Sequence, residues 1–246
     1  MRTIRLMKRS GGRSFKIKTE AGKKRVGLFG GTFNPIHLGH LRGAEEIRES
    51  FGLEEIIFTP AAIPPHKEAE GIMDPLHRLE MLKRATLKNP RFSVSDIELK
   101  RPGKSYSIDT LRYFKEIHHQ GSLFFILGGD AFFEIETWRE YKTLFSLCHF
   151  IVMTRPGSQR KGEAIELPEG LVPSFKYDPV IGAWIHVSGN RLYTKEITFL
   201  DISSTHVRKL IEKGGSVRYL IPEEVEAYIE EKGLYRKGWA SGGAPP

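Results

Sequence analysis

The sequence predicts an α/β fold, a Rossmann-like parallel sheet with helices on both faces. Three observations lead there. Short apolar runs alternate with stretches of helical periodicity along most of the chain, the pattern of repeated strand–helix–strand units. The first run, at residues 25–29, passes through a turn rich in Gly, Asn and Pro into a helix. That arrangement turns backbone N–H groups and a helix N-terminus toward a phosphate. The loops that bear glycines and polar groups all follow strands of this reading: Gly30-Gly31, 64–67, 128–130 and Arg155. Parallel sheets bind ligands beyond those carboxyl ends.

Each element has its own signal. Residues 25–29 are an apolar strand. Leu38, Leu41, Ala44, Ile47 and Phe51 mark a helix over Leu38–Phe51, and Gly52 is a stop. Ile56, Ile57 and Phe58 run unbroken through a second strand at 55–59, as in a strand covered on both faces. A loop follows at 60–74, with Pro64-Pro65-His66-Lys67 at its centre. Pro75 starts a second helix, with Leu76, Leu79, Leu82 and Ala85 as its apolar stripe. Residues 92–99 alternate apolar and polar, which predicts a third strand. After a Pro102-Gly103 break comes a helix at 105–118, then a fully apolar strand at 123–127. Residues 132–147 read as mostly helical, and His149–Thr154 as a fifth strand.

The second half is less regular. Residues 157–190 contain Pro168, Pro173, Pro179 and several glycines, and read as an irregular insertion or long connection. A last strand is expected at 194–200. Residues 201–205 then lead into a short helix with Val207, Leu210 and Ile211 inward, stopped by Gly214-Gly215. Pro222 opens the final helix, with Val225, Tyr228 and Ile229 on its core face.

These elements define one domain over residues 25–236, between a basic leader at 1–24 and a flexible tail at 237–246. The leader lacks periodicity and is expected to be disordered. Residues 1–25 carry ten Lys/Arg against one Glu, while the remainder carries 28 basic and 29 acidic residues. The net charge of +8 therefore belongs to the leader. It argues against a nucleic-acid-binding surface on the folded body. Cys148 is the single cysteine, so no intrachain disulfide forms, and a reducing, cytoplasmic home is expected. No apolar run reaches the roughly 18 residues of a membrane span, so no membrane partner is expected.

Two strings carry chemistry. In the first, Gly27-Leu28-Phe29-Gly30-Gly31-Thr32-Phe33-Asn34-Pro35-Ile36-His37-Leu38-Gly39-His40, two histidines three residues apart open a helix. Both rings share one face, near the positive end of the dipole. The string lacks the Gly-Lys-Ser/Thr ending of a P-loop and the G-x-G-x-x-G spacing of a dinucleotide fingerprint. Half of a metal site is another reading of His-x-x-His, but zinc helices usually space histidines by four with a third ligand nearby. In the second string, Ile202-Ser203-Ser204-Thr205-His206-Val207-Arg208, the hydroxyl residues are good N-caps. Arg208 lies one helical turn beyond Ser204, within reach of the same anion. Taken alone, this is an ordinary capped helix with a surface arginine.

The first string resembles the G-G-T-F-[DN]-P-x-H-x-G-H signature of the nucleotidylyltransferase superfamily, and the second its I-S-S-T-x-[IV]-R signature. The resemblance narrows to the bacterial nicotinate-nucleotide adenylyltransferases over about residues 25–236. Further support comes, in order, from 64–67, 105–111, 128–130, Trp138 with Tyr141, and 154–157. It implies a nucleotidylyltransferase-type fold and an enzyme of NAD biosynthesis. The enzyme would join ATP to nicotinate mononucleotide and release pyrophosphate, with Mg2+ held mainly by the ATP phosphates.

The resemblance implies catalytic roles for His37, His40 and Arg208. It implies ATP contacts at Gly30, Gly31, Thr32, Phe33, His37, His40, Gly128, Asp130, Ile202, Ser203, Ser204 and Arg208. Substrate contacts are implied at Lys67, Tyr106, Ser107, Asp130, Trp138 and Arg155. Trp138 would stack on the pyridine ring, and the Tyr106-Ser107 helix start would receive the nicotinate carboxylate, an anion site by its geometry. No protein-held metal is implied. Two positions depart from the family pattern: Asn34 stands where Asp is common and Gly129 where Ala is common. Alternatives are an adenylyltransferase for nicotinamide mononucleotide or another phosphate acceptor, and a nucleotide-binding regulator without turnover. A homo-oligomer is left open.

Overall fold

The computed structural model describes residues 24–65, 71–118, 121–156 and 165–236. Residues 1–23 of the expected leader, the tail and Lys67 lie outside the described residues; Lys24, the leader's last residue, is described and its Nζ donates to Glu55 at 3.1 Å. In chain order the elements are β1 (Arg25–Gly31), α1 (Leu38–Phe51), β2 (Glu55–Pro60), α2 (Pro75–Thr86), β3 (Phe92–Val94), α3 (Ile97–Lys100), α4 (Ser107–Ile117) and β4 (Ser122–Gly128). They continue with α5 (Gly129–Phe133), α6 (Tyr141–Leu147), β5 (His149–Thr154), β6 (Phe175–Asp178), β7 (Ala183–His186), β8 (Arg191–Glu196), α7 (Ser204–Glu212) and α8 (Glu223–Lys232).

The strands form one eight-stranded sheet in the order β3-β2-β1-β4-β5-β8-β7-β6. Six strands run parallel, as expected, and β6 and β7 add an antiparallel edge. Alternate residues of each buried strand feed two cores. Phe29, Phe58, Ile126 and Ile151 pack under α1, α2, α7 and α8. Leu28, Ile57, Phe125 and Val152 pack under α4 and α6. β1 lies between β2 and β4, so the strand order reverses direction beside it. The crevice at such a switch point is where a ligand fits. Among the described residues, no helix is long and apolar enough to cross a membrane.

Five expectations need correction. The alternation at 92–99 is strand only through Val94. Asp96 then accepts backbone bonds from Leu99 and Lys100, and a short helix turns Glu98 inward. A short alternating run does not separate strand from one helical turn. On α2 the buried face is Arg78, Leu79, Met81 and Leu82, while Leu76 is 67% exposed. The stretch 132–147 is broken into α5, a 3-10 turn at Ile135–Thr137 and α6, with Glu140 in the left-handed region between the last two. The 157–190 connection holds a β-hairpin. The Asp178 side chain accepts from Val180 and Ile181, and Gly182 supplies φ 69° to close it. The last strand is Arg191–Glu196 rather than 194–200, because the hairpin delivers the chain earlier to β5.

Candidate active site

The turn after β1 is built by packing. Gly31 lies against the Phe33 ring, and a Cβ at Gly31 would come within 2.9 Å of it. Phe33 is 3% exposed and adopts φ 48°, a left-handed conformation uncommon for a bulky residue. Its ring meets Phe29 and Phe58 edge-on at 5.6 and 5.9 Å. Phe33 is thus a core anchor. Any ATP contact there falls to its backbone rather than its ring. The Asn34–Pro35 peptide is cis.

His37 is the N-cap of α1. Its backbone N–H donates to Nδ1 of His40 at 3.3 Å, and the two rings stack with centroids 3.6 Å apart. An imidazole nitrogen that accepts an N–H carries no proton, so neutral His40 holds its proton on Nε2. The His37 ring is buried, and Nδ1 has no hydrogen-bond partner. Burial lowers its pKa to about 4, so His37 is neutral at physiological pH. It is therefore a hydrogen-bond group, not a cation.

The second string meets the first. Ser204 Oγ donates to the Pro35 carbonyl at 2.8 Å, and Arg208 Nη1 to the Asn34 carbonyl at 2.8 Å. Ser203 caps α7 by accepting from the His206 N–H at 3.1 Å. Both serine hydroxyls, expected to meet phosphate, have protein partners: Ser203 caps its own helix and Ser204 ties that helix to the turn. Ile202 is half-buried just ahead of them and packs on the core. The Asn34 side chain also braces the turn. It donates to Gly71, and accepts from the Met73 N–H and from the Tyr235 hydroxyl at 2.8 Å. An amide can do both, and a carboxylate cannot donate.

A cavity of about 260 Å³ opens between the carboxyl ends of β1 and β4. Gly30, Gly31 and Thr32 form one wall, Gly128 another, and Tyr106, Ser107 and Trp138 a third. Trp138 is half-buried, with Phe125 edge-on at 6.3 Å. Ser107 is the first residue of α4, and Tyr106 is its N-cap without a side-chain capping bond. The cavity therefore joins an aromatic face to a helix N-terminus. Asp130 and Arg155 stand apart from its lining. They form an exposed ion pair at 3.2 Å, and the Arg155 guanidinium lies 5.0 Å over the Phe199 ring.

Sequence reading missed three contributors. Glu98 lines the cavity from α3, accepting from Thr110 Oγ1 at 2.6 Å, and burial raises its pKa. Thr59 also lines it, with a buried Oγ1 that has no protein partner. Arg78 is fully buried, and its guanidinium donates to three loop carbonyls. The one available signal for Arg78 was spacing: it precedes Met81 and Leu82 by three and four residues, on the face they bury.

Comparison with known proteins agrees with this geometry. The cytidylyltransferase-like family matches residues 28–210. A probable nicotinate-nucleotide adenylyltransferase of Geobacter sp. (strain M21) is 49% identical over 211 residues, covering 86% of this chain and 98% of the relative. One from Citrifermentans bemidjiense is 48% identical with the same coverage. The Plasmodium falciparum nicotinic acid mononucleotide adenylyltransferase, solved in complex with NaAD, shares the fold with a TM-score of 0.64. It is 22% identical and covers 86% of this chain and 97% of its own. On the family match and on relatives of this identity and coverage, the chain belongs to the cytidylyltransferase-like family, with bacterial nicotinate-nucleotide adenylyltransferases as its relatives.

Proposed function

We propose that the chain transfers the adenylyl group of ATP to the 5′-phosphate of nicotinate mononucleotide, giving nicotinate adenine dinucleotide and pyrophosphate. The observation that carries this reading is the junction of the two signature strings, Arg208 on Asn34 and Ser204 on Pro35, next to a cavity with an aromatic face and a helix start. The acceptor phosphate attacks the α-phosphorus in line as the bond to pyrophosphate breaks. The nucleophile is already an anion, so no strong base is needed and no covalent enzyme intermediate forms. The protein must position two anions and offset their charge. His40 donates from Nε2, His37 acts as a neutral hydrogen-bond group and Arg208 supplies the cation.

Magnesium belongs to the nucleotide substrate in this reading. The side chains at the turn are imidazole, hydroxyl and guanidinium, which suit phosphate oxygens; Mg2+ prefers oxygen ligands and keeps several waters. Trp138 is the stacking face for the pyridine ring, and the α4 N-terminus receives its carboxylate. Glu98 lines the same cavity, where burial raises its pKa against the opposing pull of Thr110, Ser105 and Arg101.

The test is pyrophosphate release with ATP and Mg2+, offering nicotinate and nicotinamide mononucleotides in parallel. Fast release with the acid alone supports the full reading. Equal rates keep adenylyl transfer and discard the carboxylate site at α4. No release with either overturns the reading.

A further inference from the structure

We propose that Arg78 is a positioning residue for the phosphate turn: its guanidinium clamps the peptide between Thr32 and Phe33 to two neighbouring loops and so sets where the Phe33 N–H points. Arg78 is 0% exposed on α2. Nη1 donates to the Thr32 carbonyl at 2.9 Å, Nη2 to Ala62 at 3.0 Å and Nε to Met73 at 2.8 Å. These carbonyls belong to the turn after β1, the loop after β2 and the segment entering α2. One planar fork therefore fixes three segments relative to one another. A lysine ammonium in the same space is a point donor and cannot hold three carbonyls in that fan.

The contact bears on a backbone donor of the turn. The carbonyl of Thr32 and the N–H of Phe33 share one peptide unit. A charge-assisted bond to that carbonyl polarises the unit and strengthens the N–H at its other end as a donor. Orientation matters as well. Phe33 sits at φ 48°, a strained conformation for such a residue that persists only where the surroundings impose it. The Phe33 ring is gripped by Gly31, Phe29 and Phe58, and Arg78 grips the peptide on the other side. Burial lowers the Arg78 pKa to about 10, which leaves the guanidinium charged at neutral pH. The Asp74 and Glu98 carboxylates favour that charged form, with no ion pair to Arg78 among the described residues.

The inference rests on the adenylyl-transfer reading, and its test separates the two. Full-length Arg78→Lys and Arg78→Ala are compared with the native chain in three ways. These are calorimetric binding of a non-hydrolysable ATP analogue with Mg2+, steady-state pyrophosphate release, and thermal midpoint. The Ala variant is also assayed with millimolar guanidinium ion. We expect both variants to fold. Analogue affinity should fall at least tenfold and kcat about 100-fold, the scale for an ångström-level misplacement, while KM for the mononucleotide changes less than threefold. Guanidinium ion should restore at least tenfold of the lost kcat in Arg78→Ala and leave the native chain unchanged. Analogue binding and kcat within threefold of native in folded variants would overturn the proposal. So would loss without guanidinium rescue, or failure of both variants to fold, since the core rather than the turn would then need the arginine. A native chain that binds the analogue but releases no pyrophosphate overturns the adenylyl reading, and the binding arm still decides on Arg78.

Discussion

The guanidinium of Arg208 donates to the backbone carbonyl of Asn34 at 2.8 Å, across 174 residues of sequence. The contact carries a cation to the turn and fixes it there at once. Arg208→Lys keeps the charge and loses the fork. Turnover of this variant should fall about 100-fold, the scale for losing a preorganised donor at developing charge. Steady-state pyrophosphate release measures it, and a fall of less than threefold would take the contact out of the mechanism.

His40 is expected to matter at least as much. Its Nδ1 is occupied by the His37 backbone, which assigns the proton to Nε2. His40→Ala should lower kcat by more than ~100-fold. Near-normal turnover of the variant would leave His40 as a helix cap only.

Acid should destabilise the fold in a defined window. Burial pushes His37 and His149 down to about 4 from an ordinary 6.5. Between those values the unfolded chain binds protons that the folded chain refuses. Stability present above pH 6.5 is therefore lost as pH falls toward 4. Each group accounts for at most about 3 kcal/mol of that loss. Urea midpoints should hold steady near neutral pH, between about 7 and 8, and drop within the window. The His149→Gln variant, remote from the turn, should drop less. A curve with the same slope as native would assign the loss to other groups.

Asn34→Asp tests the amide in the turn. The carboxylate keeps its bonds from Met73 and Tyr235, loses the donor to Gly71 and brings a charge to a site only 5% exposed. Stability at neutral pH should fall by about 1–3 kcal/mol, the cost of a buried group left unpaired. An unchanged urea midpoint would mean that the loop at Gly71 moves to accommodate the charge.

For Trp138→Ala, KM for the mononucleotide should rise about tenfold with KM for ATP little changed, since ring stacking contributes about 1–3 kcal/mol per base. Parallel rises in both constants would instead indicate a general loosening of the cavity.

Much of this site was legible in the sequence because its parts are local. Strand, turn and helix around His37 are contiguous, and the Ser203 cap lies within one turn of its partner, so spacing alone located them. The buried strands were legible because burial on both faces leaves unbroken apolar runs. What escaped depends on contacts distant in sequence. Glu98 was read as the polar position of a strand, because only the packed fold turns α3 toward Thr110. Arg78 lies off the expected apolar stripe of α2, and its burial could not be read because the carbonyls that satisfy it sit in three separate loops. The hairpin at β6 and β7 was hidden by the prolines and glycines that shape its surroundings.

The hydrogen bond from Tyr235 to Asn34 spans 201 residues. The turn after β1 is thus completed by a residue beyond α8. A chain cut just before Tyr235 would keep the strands, the helices and both histidines, and lack the hydroxyl that holds the Asn34 side-chain oxygen.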